Sequence, residues 1–154
     1  MKMKIFLILT TALLLIACEK VGVYSKFDDN FESNRWVQSD AKLHEFNIAD
    51  DSKVYDLVLC FSHVYDYQFA SVPMAAEITD PSGKSEKVNF DLLIKDSSGK
   101  QLADCSGDVC DLEYKIKENV KLEKGTYKVT LSHSFQGPYL PNVLGVGLAV
   151  RDSK

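Results

Sequence analysis

Cys18 carries the clearest chemistry in the sequence, because it closes a segment built like a bacterial lipoprotein signal. Lys2 and Lys4 precede an apolar run over residues 5–16, and Leu-Ile-Ala stands directly before the cysteine. Aliphatic and small residues in this place are what a lipoprotein signal peptidase accepts. We expect the thiol to take a diacylglycerol, and the amine freed by cleavage to be acylated too, with palmitate a typical chain. Two or three acyl chains anchor a protein stably, at about 0.8 kcal/mol per buried methylene.

The apolar run is too short to cross a membrane. About a dozen residues span roughly 18 Å as a helix, against a hydrocarbon core about 30 Å thick. An ordinary secretory signal that happens to contain a cysteine is the alternative, although its small residues place a small-x-small cleavage site poorly. We predict a signal peptide over residues 1–17, a lipidated tether over 18–30 and a folded domain over 31–154. Glu19, rather than Asp, favours the outer membrane and leaves the leaflet open.

The remaining cysteines suggest a structural role. Cys105 and Cys110 flank Ser-Gly-Asp-Val, and in an oxidising compartment they form a candidate disulfide. Cys60 lies inside an apolar segment, where a free cysteine behaves as a small hydrophobe. One cysteine pair and a third, separate cysteine do not supply the ligands of a zinc site. We therefore predict neither a metal nor any other cofactor.

A second group of chemically interesting residues surrounds two histidines. His63 and His133 each continue the apolar face of a predicted strand, and aromatic residues follow both. If successive strands alternate in direction, both histidines fall at the same end of the domain. The candidate binding patch there comprises His63, Tyr65, Asp66, Tyr67, His133, Phe135 and Tyr139.

Two interpretations of this patch stay open. Exposed rings would suit protein contacts or sugar stacking. Buried rings would instead close the core beneath the loops. A metal site made by both histidines and Asp66 is a further alternative. The third histidine, His44, shares the parity of Lys42 and lies opposite Leu43, so we expect it to be solvated.

The elements that must position these residues are strands. Apolar and polar residues alternate with period two in the segments 55–61, 88–94, 112–116, 127–131 and 146–150. One buried and one solvated face is typical of antiparallel sheets. Asp-Pro-Ser-Gly-Lys at 80–84 returns as Asp-Ser-Ser-Gly-Lys at 96–100, and both suit type I turns closed by glycine. We predict an all-β, antiparallel β-sandwich or jelly-roll-like domain of about seven strands.

Charge and missing motifs exclude several functions. The chain has a formal net charge of −4, and removing residues 1–17 takes away two lysines. An acidic surface argues against nucleic acid and against electrostatic docking on anionic lipids. There is no Gly-x-Ser-x-Gly and no phosphate-binding loop, so we predict no enzyme and name no catalytic residue.

From Phe31 to the C-terminus the chain resembles the gliding motility lipoprotein GldH family. The resembling stretches keep one order along almost the whole mature chain. They are Asn-Arg-Trp at 34–36, residues 55–67 ending in His-x-x-Asp-Tyr, Ile-Thr-Asp-Pro-Ser-Gly-Lys at 78–84, Cys-Ser-Gly-Asp at 105–108, Lys-Glu-Asn-Val at 117–120, Gly-Thr-Tyr at 125–127 and Val-Gly-Leu at 146–148. Cys105 and Cys110 depart from the small or aliphatic residues that the family leads us to expect.

This resemblance implies a non-enzymatic cell-envelope lipoprotein that is needed for gliding and linked to protein export. Its partners would be the membrane, through acyl chains on Cys18, and other envelope proteins; the oligomeric state is left open. The alternative is a carbohydrate-binding module, with Trp36 and the segment 65–67 as its ring platform. Burial separates the two, since a sugar platform requires exposed Trp36 and Tyr67.

Overall fold

The computed structural model describes residues 22–153; the predicted signal peptide and Cys18 lie outside this range. Eleven strands and one 3-10 turn, at Glu32–Asn34, make up the described part, which contains no α-helix. The strands are β1 Gly22–Asp28, β2 Arg35–Trp36, β3 Lys42–Ile48, β4 Val54–Val64, β5 Ser71–Thr79, β6 Ser85–Leu93, β7 Asp104–Ser106, β8 Val109–Lys121, β9 Gly125–His133, β10 Leu140–Pro141 and β11 Val143–Asp152.

The strands form an antiparallel β-sandwich, as predicted. One sheet has the order β1-β11-β4-β8-β7 and the other β3-β9-β5-β6, while β10 and β2 form a separate pair. All pairings are antiparallel. About seven strands were predicted and eleven are observed. Three of the additional strands, β2, β7 and β10, have only two or three residues and are too short to show an alternating pattern.

Period-two alternation places the core between the two sheets. Tyr127, Val129 and Leu131 of β9 are buried while Lys128 is exposed. The inward side chains of β11 and β4, including Leu59, belong to the same apolar cluster. Burying such aliphatic side chains contributes about 1.5–3 kcal/mol each, which makes this cluster the main source of stability.

The central strand β4 is also covered on its outer face. Val58 points away from the core yet is only 3% exposed. The flanking strands explain this burial: Arg151 lies opposite Asp56, and Glu113 lies opposite Cys60. The Arg151 guanidinium donates two hydrogen bonds to the Glu113 carboxylate, at 2.9 and 2.6 Å, so the ion pair crosses β4 at the level of Val58.

The predicted tether over residues 18–30 is wrong for its described part. Gly22–Asp28 forms β1, which pairs with β11 from Gly22 opposite Arg151 to Asp28 opposite Val146. The strand escapes a pattern search because it lies at a sheet edge and most of its side chains are exposed. Tyr24 is its main contact with the core, so no apolar alternation appears.

The two ends of the sandwich differ, and we name them base and top. The base contains Gly22 and the three reversals at 49–53, 80–84 and 122–124, which join β3 to β4, β5 to β6 and β8 to β9. The top lies where β4, β9 and β6 end, and it contains the segments 65–70, 94–103 and 134–139. The register of the antiparallel strands places these segments at opposite ends.

The two similar turns lie at opposite ends of the sandwich. At the base, Asp80 Oδ1 accepts hydrogen bonds from the Ser82 backbone, the Ser82 hydroxyl and the Lys84 backbone, at 2.9, 2.6 and 3.0 Å. At the top, Asp96 makes the same three bonds. Gly83 and Gly99 adopt φ of 87° and 84°, a conformation that glycine reaches without a steric cost. Both predicted reversals are confirmed.

Candidate functional site

A row of rings crosses the top of the sandwich. Ring centroids are 4.8 Å apart for His63 and Tyr67, 5.6 Å for Tyr67 and Phe69, and 4.9 Å for Phe69 and Phe135. The backbone amide of Phe135 in turn donates to His133 Nδ1 at 3.3 Å. The structure thus brings together the two histidine-centred groups that the sequence places at one end.

His133 is held in a single role by its hydrogen bonds. Its Nε2 lies 2.9 Å from the Trp36 carbonyl, which only accepts, so Nε2 carries the proton and Nδ1 accepts from Phe135. The Trp36 ring packs against the imidazole at 4.8 Å, and its own Nε1 donates to the Asp40 carbonyl at 2.7 Å. This arrangement fixes neutral His133 as a structural link between β9 and the separate pair of β2 and β10.

His63 is equally enclosed. Its Nδ1 donates to the Val64 carbonyl at 2.7 Å, and its Nε2 is buried without a hydrogen-bond partner among residues 22–153. The neighbouring Tyr67 hydroxyl donates to the Pro141 carbonyl at 2.9 Å, and burial raises the pKa of Tyr67 far above its ordinary value. Both side chains therefore support the loops from beneath.

The candidate patch is divided between core and surface. His63, Tyr67 and His133 are buried, and three of the seven residues thus close the core. Tyr65 is 61% exposed, and the exposed Asp66 faces Lys95 at 3.5 Å. Phe135 and Tyr139 are half-buried, and the Arg35 guanidinium lies 4.6 Å from the centre of the Tyr139 ring.

Several surface residues at the top were missed by the sequence analysis. Tyr65 has apolar companions in this region that are also exposed. They are Val37, Leu93, Leu102 and Val109. Backbone bonds connect part of the group, from the Tyr65 amide to the Asp108 carbonyl at 2.9 Å and from the Leu102 amide to the Ile94 carbonyl at 2.9 Å. The doubled leucine at 92–93 was a usable signal, because strict alternation turns one of the two toward solvent.

The expectation that His44 is solvated is wrong. Leu43 and His44 do lie on opposite faces of β3, but the buried face is the opposite of the one expected. Leu43 is 56% exposed, and His44 is fully buried beside Phe46. β1 covers this side, and the Tyr24 hydroxyl lies 3.2 Å from His44 Nδ1. Burial lowers the pKa of His44, partly opposed by Asp28, whose carboxylate is 3.9 Å from Nε2.

Stability is expected to fall as the pH drops below neutrality. Burial lowers the pKa of His44, His63 and His133. The unfolded chain, with histidine values near 6.5, therefore takes up protons first as the pH falls. The contribution of these neutral histidines to the free energy of unfolding should be fully present above about pH 7. Below about pH 6.5 the free energy of unfolding should fall, by up to about 1.4 kcal/mol per pH unit for each histidine. Urea unfolding at about pH 7.5 and 5.5 measures the difference.

His44→Phe provides the control for this pH dependence. Removing one titrating imidazole should make the pH slope shallower, whatever the variant does to stability at neutral pH. Equal unfolding free energies for the unmodified protein at both pH values would show that the buried histidines take up protons in the folded state.

The described residues contain one disulfide, one free cysteine and no candidate metal site. A disulfide bond joins Cys105 and Cys110 across the β7–β8 hairpin, with the sulfur atoms 2.00 Å apart. Cys60 is a free, half-buried thiol. Residues 22–153 contain no group of three or more histidine, cysteine or carboxylate side chains placed to hold a metal ion. Across that same stretch, no helix has the length and apolar character needed to span a bilayer.

A pocket of about 260 Å³ opens near the base, between β6 and β8. Its apolar lining combines core residues with side chains at the C-terminal end of β8 and directly after it. These are Leu57, Ile78, Val120, Leu122 and Tyr127. Charged side chains complete the lining, namely Asp80, Lys84, Glu86, Lys117 and Lys121. Lys117 pairs with Glu86 at 2.6 Å across the gap.

Fold and site together define an antiparallel β-sandwich domain with a ring-filled top and several exposed apolar side chains at the same end. The sequence profile described as GldH lipoprotein matches residues 22–150, almost the whole described part. The chain belongs to the GldH lipoprotein family. The matched region begins at β1, in agreement with the inclusion of that strand in the domain.

Two curated relatives carry the same description. The gliding motility lipoprotein GldH homolog of Christiangramia forsetii is 30% identical over 135 residues, covering 86% of this chain and 80% of that protein. The gliding motility lipoprotein GldH of Flavobacterium johnsoniae is 23% identical over 128 residues, covering 83% and 79%. Both alignments extend over most of each protein.

Among solved structures, TmCBM61 in complex with beta-1,4-galactotriose shows a distant likeness. Its sequence identity is 18% and its TM-score 0.31, over 71% of this chain and 57% of that one. This chain thus spans little more than half of that protein's length. A TM-score this low carries no argument about ligands.

Proposed function

We propose that this protein is an accessory component of a gliding-motility and export assembly in the cell envelope, and that it acts through protein contacts made by its top. Acyl chains on Cys18 hold it in the outer membrane after the signal peptide is removed. Family membership supports the lipoprotein and motility part of the proposal. The contact surface is supported by the structure of the top.

The observation that carries the contact surface is the group of exposed apolar side chains there. Tyr65 is 61% exposed, Leu93 54%, Leu102 45% and Val109 43%. Val109 lies opposite Val64, directly before Tyr65, whereas Leu93 faces outward from the other sheet. Exposed apolar side chains concentrated at one end of a monomer are a feature of protein interaction sites. The rings beneath give this surface a rigid base, so a partner would bind without first ordering a flexible loop.

The carbohydrate-binding alternative loses its basis in the same region. Trp36 and Tyr67, which would have to stack on sugar rings, are both 0% exposed. Their polar atoms are occupied by the Asp40 and Pro141 carbonyls. Tyr65 alone is a poor platform, because sugar stacking by a module of this kind needs more than one exposed ring.

Lipid anchoring increases the effect of a modest contact surface. Confining both partners to one membrane raises their effective concentration, so weak contacts are sufficient for association. The chain itself contains no phosphate-binding loop. The energy for movement would therefore come from another component of the assembly.

Tyr65→Glu is expected to reduce the recovery of envelope partners strongly while leaving the protein in the membrane. The substitution places a charge in the exposed apolar group without entering the core, because Tyr65 is 61% exposed. The measurement is crosslinking in intact cells, followed by purification of the lipidated protein and quantification of the proteins recovered with it.

Val109→Glu and Val23→Glu form a matched pair for the same experiment. Val109 at the top is 43% exposed and Val23 at the base is 42% exposed. We expect partner loss with Val109→Glu and retention with Val23→Glu. Equal recovery with all three variants would contradict a contact surface at the top.

A further inference from the structure

We propose that the base of the sandwich rests on the lipid surface that holds the acyl chains of Cys18, and that the top is the end farthest from the bilayer. The inference rests on the lipid attachment proposed above. It adds an orientation and a second contact surface, whose partner is the phospholipid headgroup layer.

The length of the link determines which end is close to the membrane. Three residues separate Cys18 from Gly22, the first residue of β1. Four extended Cα–Cα steps reach at most about 14 Å, against the roughly 40 Å that a tether ending at Asn30 would have allowed. Gly22 lies opposite Arg151, near the C-terminal end of β11, and therefore belongs to the base.

The charges of the base leave two lysines available to headgroup phosphates. Asp51 pairs with Lys124 at 3.4 Å and Asp152 with Lys53 at 2.8 Å. Asp80 is occupied by the hydrogen bonds of its own turn. Lys84 and Lys121 form no salt bridge within residues 22–153, although Lys84 is attracted to Asp80 of its own turn. The exposed acidic side chains near them are Glu86, which is paired with Lys117, and Glu123.

Lys84 and Lys121 border the apolar pocket near the base. Its lining includes Val120 and Leu122, both half-buried. The charged rim carries three lysines against Asp80 and Glu86, and Glu86 is paired with Lys117. Lys84 and Lys121 beside an apolar recess suit an amphiphile, with the phosphate on their ammonium groups and the first methylenes against the aliphatic side chains. The acidic net charge of the chain does not prevent this local attraction. Salt screens the more distant charges, so the nearest side chains dominate the potential at a headgroup phosphate.

The height of the sandwich then places the protein-binding surface well above the lipid. β4 runs from base to top over Val54–Val64, which corresponds to about 35 Å of extended strand. Tyr65 follows directly and stands at the far end. A partner would be met at that distance from the membrane rather than at the headgroups.

The two similar turns provide matched probes of this orientation. Ser82 at the base and Ser98 at the top are both exposed and make the same bond to the turn aspartate, at 2.6 Å. Ser82→Cys and Ser98→Cys, each in a Cys60→Ser background, receive the same fluorophore. The full-length lipidated proteins are placed in vesicles of phosphatidylethanolamine and phosphatidylglycerol that contain a headgroup-nitroxide lipid, which quenches fluorophores within its reach.

The expected result is loss of most of the emission at position 82 and little loss at position 98. Flotation of the vesicles separately reports membrane attachment. Floating protein with equal quenching at both positions, or with stronger quenching at 98, would overturn the orientation alone. Protein that does not float would overturn the lipid attachment and the orientation with it.

Discussion

Replacing Cys18 with alanine is expected to move the protein almost completely from the membrane fraction to the soluble fraction. In the proposed attachment the Cys18 sulfur receives the diacylglycerol, and two or three acyl chains would supply the whole of the stable anchoring. The described residues contain no helix that could span the bilayer. Fractionation of cells, together with metabolic labelling by radioactive palmitate, measures the loss of both anchor and acyl chains.

Cys60→Ser is the matched control for this experiment. It removes the free thiol of the folded domain and should leave both palmitate incorporation and membrane retention unchanged. The Cys18→Ala protein should keep its fold, because the cysteine precedes β1. Retention of Cys18→Ala in the membrane at the level of the unmodified protein would disprove the lipoprotein assignment.

Leu59→Ala is expected to cost about 2–5 kcal/mol of unfolding free energy, the range for leucine truncation in a close-packed core. Leu59 is fully buried on the central strand, with Tyr114 and Leu148 opposite it on the neighbouring strands. Urea unfolding of the non-lipidated Cys18→Ala protein measures the change. The chain has one tryptophan, Trp36, whose burial makes its fluorescence a reporter of unfolding.

Leu43→Ala removes the same atoms from a surface position. Leu43 is 56% exposed, so the expected change stays within about 0.5 kcal/mol. A loss below about 0.5 kcal/mol for Leu59→Ala as well would mean that β4 does not occupy the centre of the core.

The long strands could be predicted because their period-two pattern reflects burial directly. Tyr127, Val129 and Leu131 alternate with polar residues, and the structure buries all three. β1 could not be predicted in this way. Its core-facing positions include Tyr24 and Lys26, opposite Val150 and Leu148, so a lysine interrupts the apolar face. Only the pairing of the strand with β11 reveals its place.

The face of a strand is harder to derive than its periodicity. His44 and Leu43 show this, because hydrophobicity alone directs leucine inward and histidine outward. β1 reverses the choice by providing the Tyr24 hydroxyl as a partner for the imidazole. Such a partner is 20 residues away in the chain and has no local signature.

The sequence predicts that the residues of the candidate patch lie at one end of the domain, but not which of their side chains are buried. The sequence places His63 and His133 at one end, and the ring contacts there join their neighbourhoods. Which rings reach the surface depends on how the segments 65–70 and 134–139 fold over them. Tyr67 is therefore buried although Tyr65, two residues earlier, is exposed.

Binding of partners at the top of the sandwich can be tested with a photoreactive amino acid at Tyr65 or, as the control, at Ser82, followed by crosslinking in intact cells. We expect a few defined envelope proteins at fixed stoichiometry from position 65, and none of these proteins from position 82. Crosslinking of the same proteins from both positions, or from position 82 alone, would contradict binding at the top.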